Sequence, residues 1–142
     1  MTQLMLTHRG VVYPWQCDHV GHMNVMWYVS KFDEATWQLF SDLGITSSYL
    51  RENQRGMAAL EQNIKYKREL RAGDTLSIYS GILEIKEKTI RFYHEMRLDE
   101  TKEIAATTVL FGVHMDTIER KARPFPDEIV KRGHESLINV NP

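Results

Sequence analysis

The chain has a single cysteine, Cys17, among its 142 residues, so no intrachain disulfide can form. A reducing compartment is therefore expected, and the cytoplasm fits that best. No apolar run approaches the roughly 20 residues that a bilayer-spanning helix needs, and residues 1–9 lack the basic segment, apolar stretch and small-residue cleavage site of a secretory signal. An excess of positive charge is missing too. With 18 Lys+Arg against 19 Asp+Glu and a net charge of −1, a nucleic-acid binder working through a general basic field is excluded. Internal repeats and low-complexity segments are absent, which removes solenoid and linker architectures. What remains is 42% hydrophobic and 26% charged, an ordinary globular balance. A chain of this length is expected to form one domain, residues 1–142, around one core.

Against this plain background one stretch stands out: Tyr13-Pro14-Trp15-Gln16-Cys17-Asp18-His19-Val20-Gly21-His22-Met23-Asn24. It places a thiol, a carboxylate, two imidazoles and an amide in one turn-forming segment. Gly21 permits a sharp turn or a close backbone approach to a ligand. The helix expected to follow points its first free N–H groups back at the loop, where they can hold an anion or a developing oxyanion.

In chain order, the β-branched and aromatic run over residues 9–13 predicts a short strand ended by Pro14. From Val25 to Leu43 apolar residues recur every three or four positions, among them Val25, Tyr28, Val29, Phe32, Ala35, Leu39 and Leu43. That is a helical period, with Asn24 as N-cap and Gly44 as the stop. A shorter helical or irregular piece is expected over residues 47–54, closed by Arg55-Gly56.

Beyond Gly56 the period becomes two. Leu60, Ile64 and Tyr66 predict a strand that ends before the turn Ala72-Gly73-Asp74. Leu76 and Ile78 open another strand, whose alternation shifts near Gly81 as a bulge there would make it. A third strand runs from Ile90 to Leu98 and turns at Asp99-Glu100-Thr101-Lys102. Ile104 to Met115 is nearly continuous apolar and Thr, as in a strand covered on both faces. The prolines of residues 123–129 extend the tail before a terminal helical turn.

One long helix followed by consecutive strands makes an α+β fold. A single helix covers one face of the sheet. The other face, or an edge, is left for a second copy, so a dimer is expected.

Together the Asp18-His19-Val20-Gly21-His22-Met23-Asn24 loop, the Met26-Trp27-Tyr28 helix entry, the Leu70-Arg71-Ala72-Gly73-Asp74 turn and the Arg123-Pro124-Phe125-Pro126-Asp127 tail resemble the hotdog-fold acyl-CoA thioesterases of the 4-hydroxybenzoyl-CoA thioesterase-like family. The resemblance implies an antiparallel sheet of about five strands wrapped around one long central helix. It also implies an acyl-CoA substrate and a homodimer or homotetramer with active sites at the subunit interface. No cofactor, metal, nucleic acid or membrane enters. In that family an Asp in this loop is the catalytic carboxylate, which falls on Asp18, and backbone N–H groups at the helix entry, here Gly21 to Val25, polarise the thioester carbonyl. The best-known members are more apolar where His19, His22 and Asn24 stand, and relatives with a Gly-His-Met-Asn segment are nearer.

A carboxylate of ordinary pKa is ionised at neutral pH. Asp18 can therefore attack the acyl carbon to form an anhydride, or deprotonate an attacking water; capping the turn is its bland alternative. His22 can bond Asp18 or the substrate carbonyl, and Asn24 can orient water when it is not capping the helix. His19 reads as exposed or structural. Cys17 beside an anion is a poor nucleophile, because the neighbouring charge raises a thiol pKa. Trp15, Trp27 and Tyr28 are candidates for an acyl pocket, where aromatic faces can also hold a cationic group. Glu61 is a candidate second carboxylate if its strand turns it to the interface. A related branch carries its carboxylate on the helix, which makes Asp33 and Glu34 the fallback. CoA phosphates want cations, and Lys65, Lys67, Arg68 and Arg71 form one cluster while Lys86, Lys88 and Arg91 form another. Two other functions stay open: a hotdog-fold enoyl-thioester hydratase, and a non-catalytic ligand- or metal-binding module built on Cys17, Asp18, His19 and His22.

Overall fold

The computed structural model describes residues 3–142. Its elements are β1 (Met5–Val11), α1 (Val25–Leu43), α2 (Ser47–Asn53), β2 (Arg55–Tyr66), β3 (Thr75–Ile85), β4 (Thr89–Leu98), β5 (Ile104–Asp116), β6 (Lys121–Ala122) and α3 (Asp127–Glu135). The strands form one antiparallel sheet in the order β1-β3-β4-β5-β2, with β6 added to β5. This is the expected hotdog arrangement, with a long helix laid on one face of the sheet. Among the described residues no helix is long and apolar enough to cross a membrane.

The helix forms where the period places it. Asn24 caps it through its side chain, and Gly44 ends it at φ 100°, a left-handed conformation that costs glycine little. Tyr28, Phe32, Ala35, Leu39, Phe40 and Leu43 are buried on its sheet side, each large side chain contributing about 1.5–3 kcal/mol. Val25 and Val29, read as part of that apolar face, are instead 55% and 42% exposed, and Lys31 is buried in their place. Val25, Met26 and Val29 make an exposed apolar strip on the first turns of the helix, although Val25 and Val29 share the azimuth of the buried Leu43 and Phe40 further along it.

Two apolar clusters lie beneath α1. One gathers Phe32 and Ala35 with Leu70, Leu76, Ile78 and Met96; the other gathers Leu39, Phe40 and Leu43 with Ile82, Ile90, Phe92 and Leu110. Between them sits the fully buried His94, stacked on Phe32 and edge-on to Phe92. The hydroxyl of Thr36 lies 3.0 Å from the Phe32 carbonyl and donates to it. It therefore accepts from His94 Nε2–H at 2.8 Å, leaving Nδ1 to accept from Ser80 Oγ at 2.5 Å. Thr7 Oγ1, 2.7 Å from Ser80 Oγ, extends the chain of bonds to β1. Burial holds the His94 pKa down at about 3, so the ring is neutral and this pattern stays satisfied.

Several boundaries differ from the sequence reading. The first strand runs over Met5–Val11 rather than residues 9–13, because Tyr13 opens a 3-10 turn over Pro14–Gln16. Arg55 and Gly56, expected to close a helix, already belong to β2. The β3 bulge falls between Ile82 and Glu84, not at Gly81. Gly81 is small for another reason: a Cβ there would lie 2.4 Å from Ile138 Cγ2. The chain after α3 crosses the sheet face opposite α1 at this point, with Leu137 bridging Ile82 and Ile138 N–H donating to the Ile82 carbonyl at 2.9 Å. That face therefore carries part of the chain's own C-terminus. β5 is buried on its α1 side, whereas Val109, Phe111 and Val113 on the other side are only half-buried.

Candidate active site

The loop between β1 and α1 is a tight hairpin built by the backbone. Cys17 and Met23 form a bridge, Asp18 N–H donates to the His22 carbonyl at 3.0 Å, and Gly21 N–H donates to the Asp18 carbonyl at 3.0 Å. Gly21 sits at φ 92°, which a side chain would strain. Two further bonds fasten the hairpin to the body: Met23 N–H to the Leu70 carbonyl at 2.7 Å and Asn24 N–H to the Gln16 carbonyl at 2.8 Å. The Leu70–Asp74 turn is thus the loop's mechanical support.

Asp18 is held at both oxygens. Oδ1 accepts from Val20 N–H at 3.0 Å, which is the turn-capping role, and Oδ2 accepts from Asn24 Nδ2 at 3.1 Å. The Asn24 bond first, then the Val20 N–H, hold the carboxyl below its ordinary value, with the His19 and His22 charges adding a little. Asn24 does two jobs with one amide, since its Oδ1 also accepts from Met26 N–H at 3.0 Å as the cap of α1. The Trp27 N–H is spent on the Asn24 carbonyl. Among the described residues this leaves the Val25 N–H as the unspent donor of the first helical turn, beside the anchored carboxylate.

His22 does not bond Asp18. Its Nε2 lies 2.9 Å from Glu69 Oε2, a residue the sequence reading passed over although it adjoins the Leu70–Asp74 turn. His19 is exposed. Cys17 is part-buried, and its Sγ is 4.0 Å from the Tyr13 carbonyl. Among the described residues no group of three or more His, Cys, Asp or Glu side chains is placed to hold a metal ion.

The aromatic candidates divide. Trp15, 68% exposed, stacks on Tyr13 at 4.6 Å and 3°, presenting a flat aromatic surface at the loop's start. Trp27 is partly buried against the core, and Tyr28 is part of it: the hydroxyl donates to the Arg68 carbonyl at 3.3 Å, and burial pushes its pKa up to about 12.

Glu61 is not brought to the loop within one chain. It stands opposite Phe111 on the sheet face away from α1, lining a cleft with Lys65, Arg91 and Thr107. Asp33 edges a cavity of about 100 Å³ walled by Thr36, Trp37, Phe40, Met57 and Phe92, and Glu34 lies 3.8 Å from His8 Nε2. Neither touches the Asp18 hairpin. Of the basic clusters, Arg68 pairs with Glu103 at 2.7 Å and Arg91 lies over the Phe111 ring.

A family model described as the thioesterase-like superfamily matches residues 12–133. Among characterised proteins, a betainyl-CoA thioesterase of Pseudomonas aeruginosa is 22% identical over 93% of this chain and 83% of its own length. An L-carnitine dehydrogenase/betainyl-CoA thioesterase of Agrobacterium fabrum is 26% identical over 80% of this chain, which spans 23% of that longer protein. Among solved structures, a Staphylococcus aureus protein in complex with CoA superposes with a TM-score of 0.89 at 17% identity, covering 99% of this chain and 90% of that one. A 1,4-dihydroxy-2-naphthoyl-CoA thioesterase from Synechocystis gives 0.80 at 17% identity, covering 92% and 96%.

Proposed function

The chain belongs to the thioesterase-like superfamily and is a thioester hydrolase, and from that premise we propose that it splits an acyl-CoA into the free acid and CoA at the Asp18 hairpin. Asp18 supplies the carboxylate, which bonds the acyl carbon itself or takes a proton from the water that does. The Val25 N–H, with the positive end of α1 behind it, stabilises the charge that develops on the thioester oxygen. The observation that carries this reading is the 3.1 Å bond from Asn24 to Asp18. Because Asn24 is also the N-cap, one side chain fixes the carboxylate relative to the free N–H of the helix.

The working unit in this reading is a homodimer, alone or paired into a tetramer, with the site at the subunit interface. Two adjacent unpartnered features support it. Among the described residues β2 is a sheet edge with no strand beyond it, and Leu60 and Tyr66 on it are 59% and 50% exposed. Met26, Val29 and Trp37 on α1 are likewise exposed, at 60%, 42% and 42%. A second copy would bury both and close the edge. For the acyl group, the relatives named for betainyl-CoA and the exposed Tyr13–Trp15 stack both favour a small cationic acyl chain held against aromatic faces.

The test is thiol release from acyl-CoAs with short, long, aromatic and trimethylammonium-bearing acyl groups, using wild-type protein and Asp18→Asn in parallel. Release that disappears in a folded Asp18→Asn protein supports the reading. A fully active Asp18→Asn variant would remove Asp18 from the chemistry, and loss of enoyl absorbance without thiol release would identify hydration instead.

A further inference from the structure

We propose that Glu69 is a positioning residue for catalysis: it holds His22 so that the free ring nitrogen, Nδ1, accepts the proton of the water that hydrolyses an acyl group carried on Asp18. The proposal rests on the reading of the Asp18 hairpin as the site of thioester hydrolysis. It divides the labour there between a nucleophile and a base.

The division follows from what each side chain touches. Glu69 Oε2 stands 2.9 Å from His22 Nε2 as an ion-pair contact, and a carboxylate, which only accepts, favours the hydrogen on that nitrogen. In the neutral ring the lone pair is then on Nδ1, which has no partner among the described residues. His22 is part-exposed, at 28% for its side chain, so water reaches the ring. Glu69 is exposed, at 67% for its side chain, and the backbone that carries each partner is fastened. Met23 N–H donates to the Leu70 carbonyl, and His22 receives Asp18 N–H at its own carbonyl. The staple that joins Met23 to Leu70 therefore sets the residues just before each of them, His22 and Glu69, side by side.

Asp18 is the complementary half. With Val20 N–H on one oxygen and Asn24 on the other, its carboxylate is fixed in place and is a weak base. A fixed weak base suits attack on carbon better than removal of a proton from water. In the first step Asp18 bonds the acyl carbon and the carbon–sulfur bond breaks, releasing CoA as thiolate and leaving a mixed anhydride. In the second, water bonds the acyl carbon, its proton passes to His22 Nδ1, and the anhydride bond breaks to return the Asp18 carboxylate. The imidazolium, paired with Glu69, then gives that proton to the thiolate or to solvent. One water is consumed, and one acid and one thiol are formed.

The experiment uses an acyl-CoA that the wild-type enzyme hydrolyses, following thiol in the first turnover and at steady state for wild type, Glu69→Gln, His22→Gln and the double variant. His22→Gln is expected to lower steady-state turnover about a hundredfold and Glu69→Gln about tenfold. In both, the first thiol per site still appears fast, as a burst, because acylation does not use the ring. Adding Glu69→Gln to His22→Gln is expected to lower turnover no further, since Glu69 acts only through His22. Equal slowing of the first turnover and the steady state, or losses that multiply in the double variant, would overturn the proposal. Unfolding temperatures near the wild-type value for both single variants show that the fold is not the cause. A wild-type protein that hydrolyses no acyl thioester would instead overturn the thioesterase reading beneath it.

Discussion

Replacing Asn24 separates two jobs that one side chain performs. Its Oδ1 caps α1 by accepting from Met26 N–H, and its Nδ2 donates to Asp18. Asn24→Ser keeps a good N-cap but has no amide donor for the carboxylate; Asn24→Ala loses both. Loss of the cap costs about 1 kcal/mol, which in a domain of this size lowers the unfolding temperature by about 3 °C. Asn24→Ala should show that drop and Asn24→Ser should not. The catalytic loss should be the same in both, roughly ten- to a hundredfold in kcat/KM, because a freed carboxylate no longer keeps its position beside the helix N–H. A pH signature goes with it. The Asn24 bond is the largest influence holding the Asp18 pKa below its ordinary value. Without it the pKa rises, and the acidic limb of the rate profile, where Asp18 becomes protonated, moves to higher pH. Calorimetry and thiol release on the two variants test this. Full activity with an unmoved acidic limb in both would refute the coupling between the cap and the carboxylate.

Other outcomes follow from the packing. Gly81→Val forces the C-terminal segment off the sheet, since Ile138 occupies the space a side chain would need, and should destabilise by about 1–3 kcal/mol; combining it with Ile138→Ala should recover most of that loss in a melting curve. His94 is neutral in the fold with a pKa near 3, below its value of 6.5 in the open chain. Stability from its burial is therefore intact above pH 6.5 and declines as pH falls toward 3; its ring resonances in a proton NMR titration should stay put from pH 8 to 4, and movement near 6.5 would contradict the buried network. In the proposed homodimer, Val29→Glu or Leu60→Lys charges the exposed helix strip or the β2 edge, and light scattering should show subunits separating while circular dichroism keeps its secondary structure.

The sequence by itself determined α1 to the residue. Its period, its Asn24 cap and its Gly44 stop act within one or two turns, and nothing distant competes with them. It likewise marked the hairpin turns and singled out the Asp18 loop, because a dense run of reactive side chains at a strand-to-helix junction is a local pattern. Interactions between distant segments were legible only in the tertiary structure. Gly81 looks like a bulge until Ile138, arriving from 57 positions away, is seen lying on it. Val25 and Val29 fit the apolar period of the helix, and only the tertiary packing decided that they stay exposed. Glu61 reads as one more alternating strand residue, and its side was fixed by the register of β2 on β5. His22 offers no sequence hint of Glu69, since the two meet only when the loop is stapled to the segment before β3. Local backbone preference and periodicity wrote the elements and pointed to the loop; which side chains share a site depended on contacts across the sheet, and those form only when the whole chain has closed around its core.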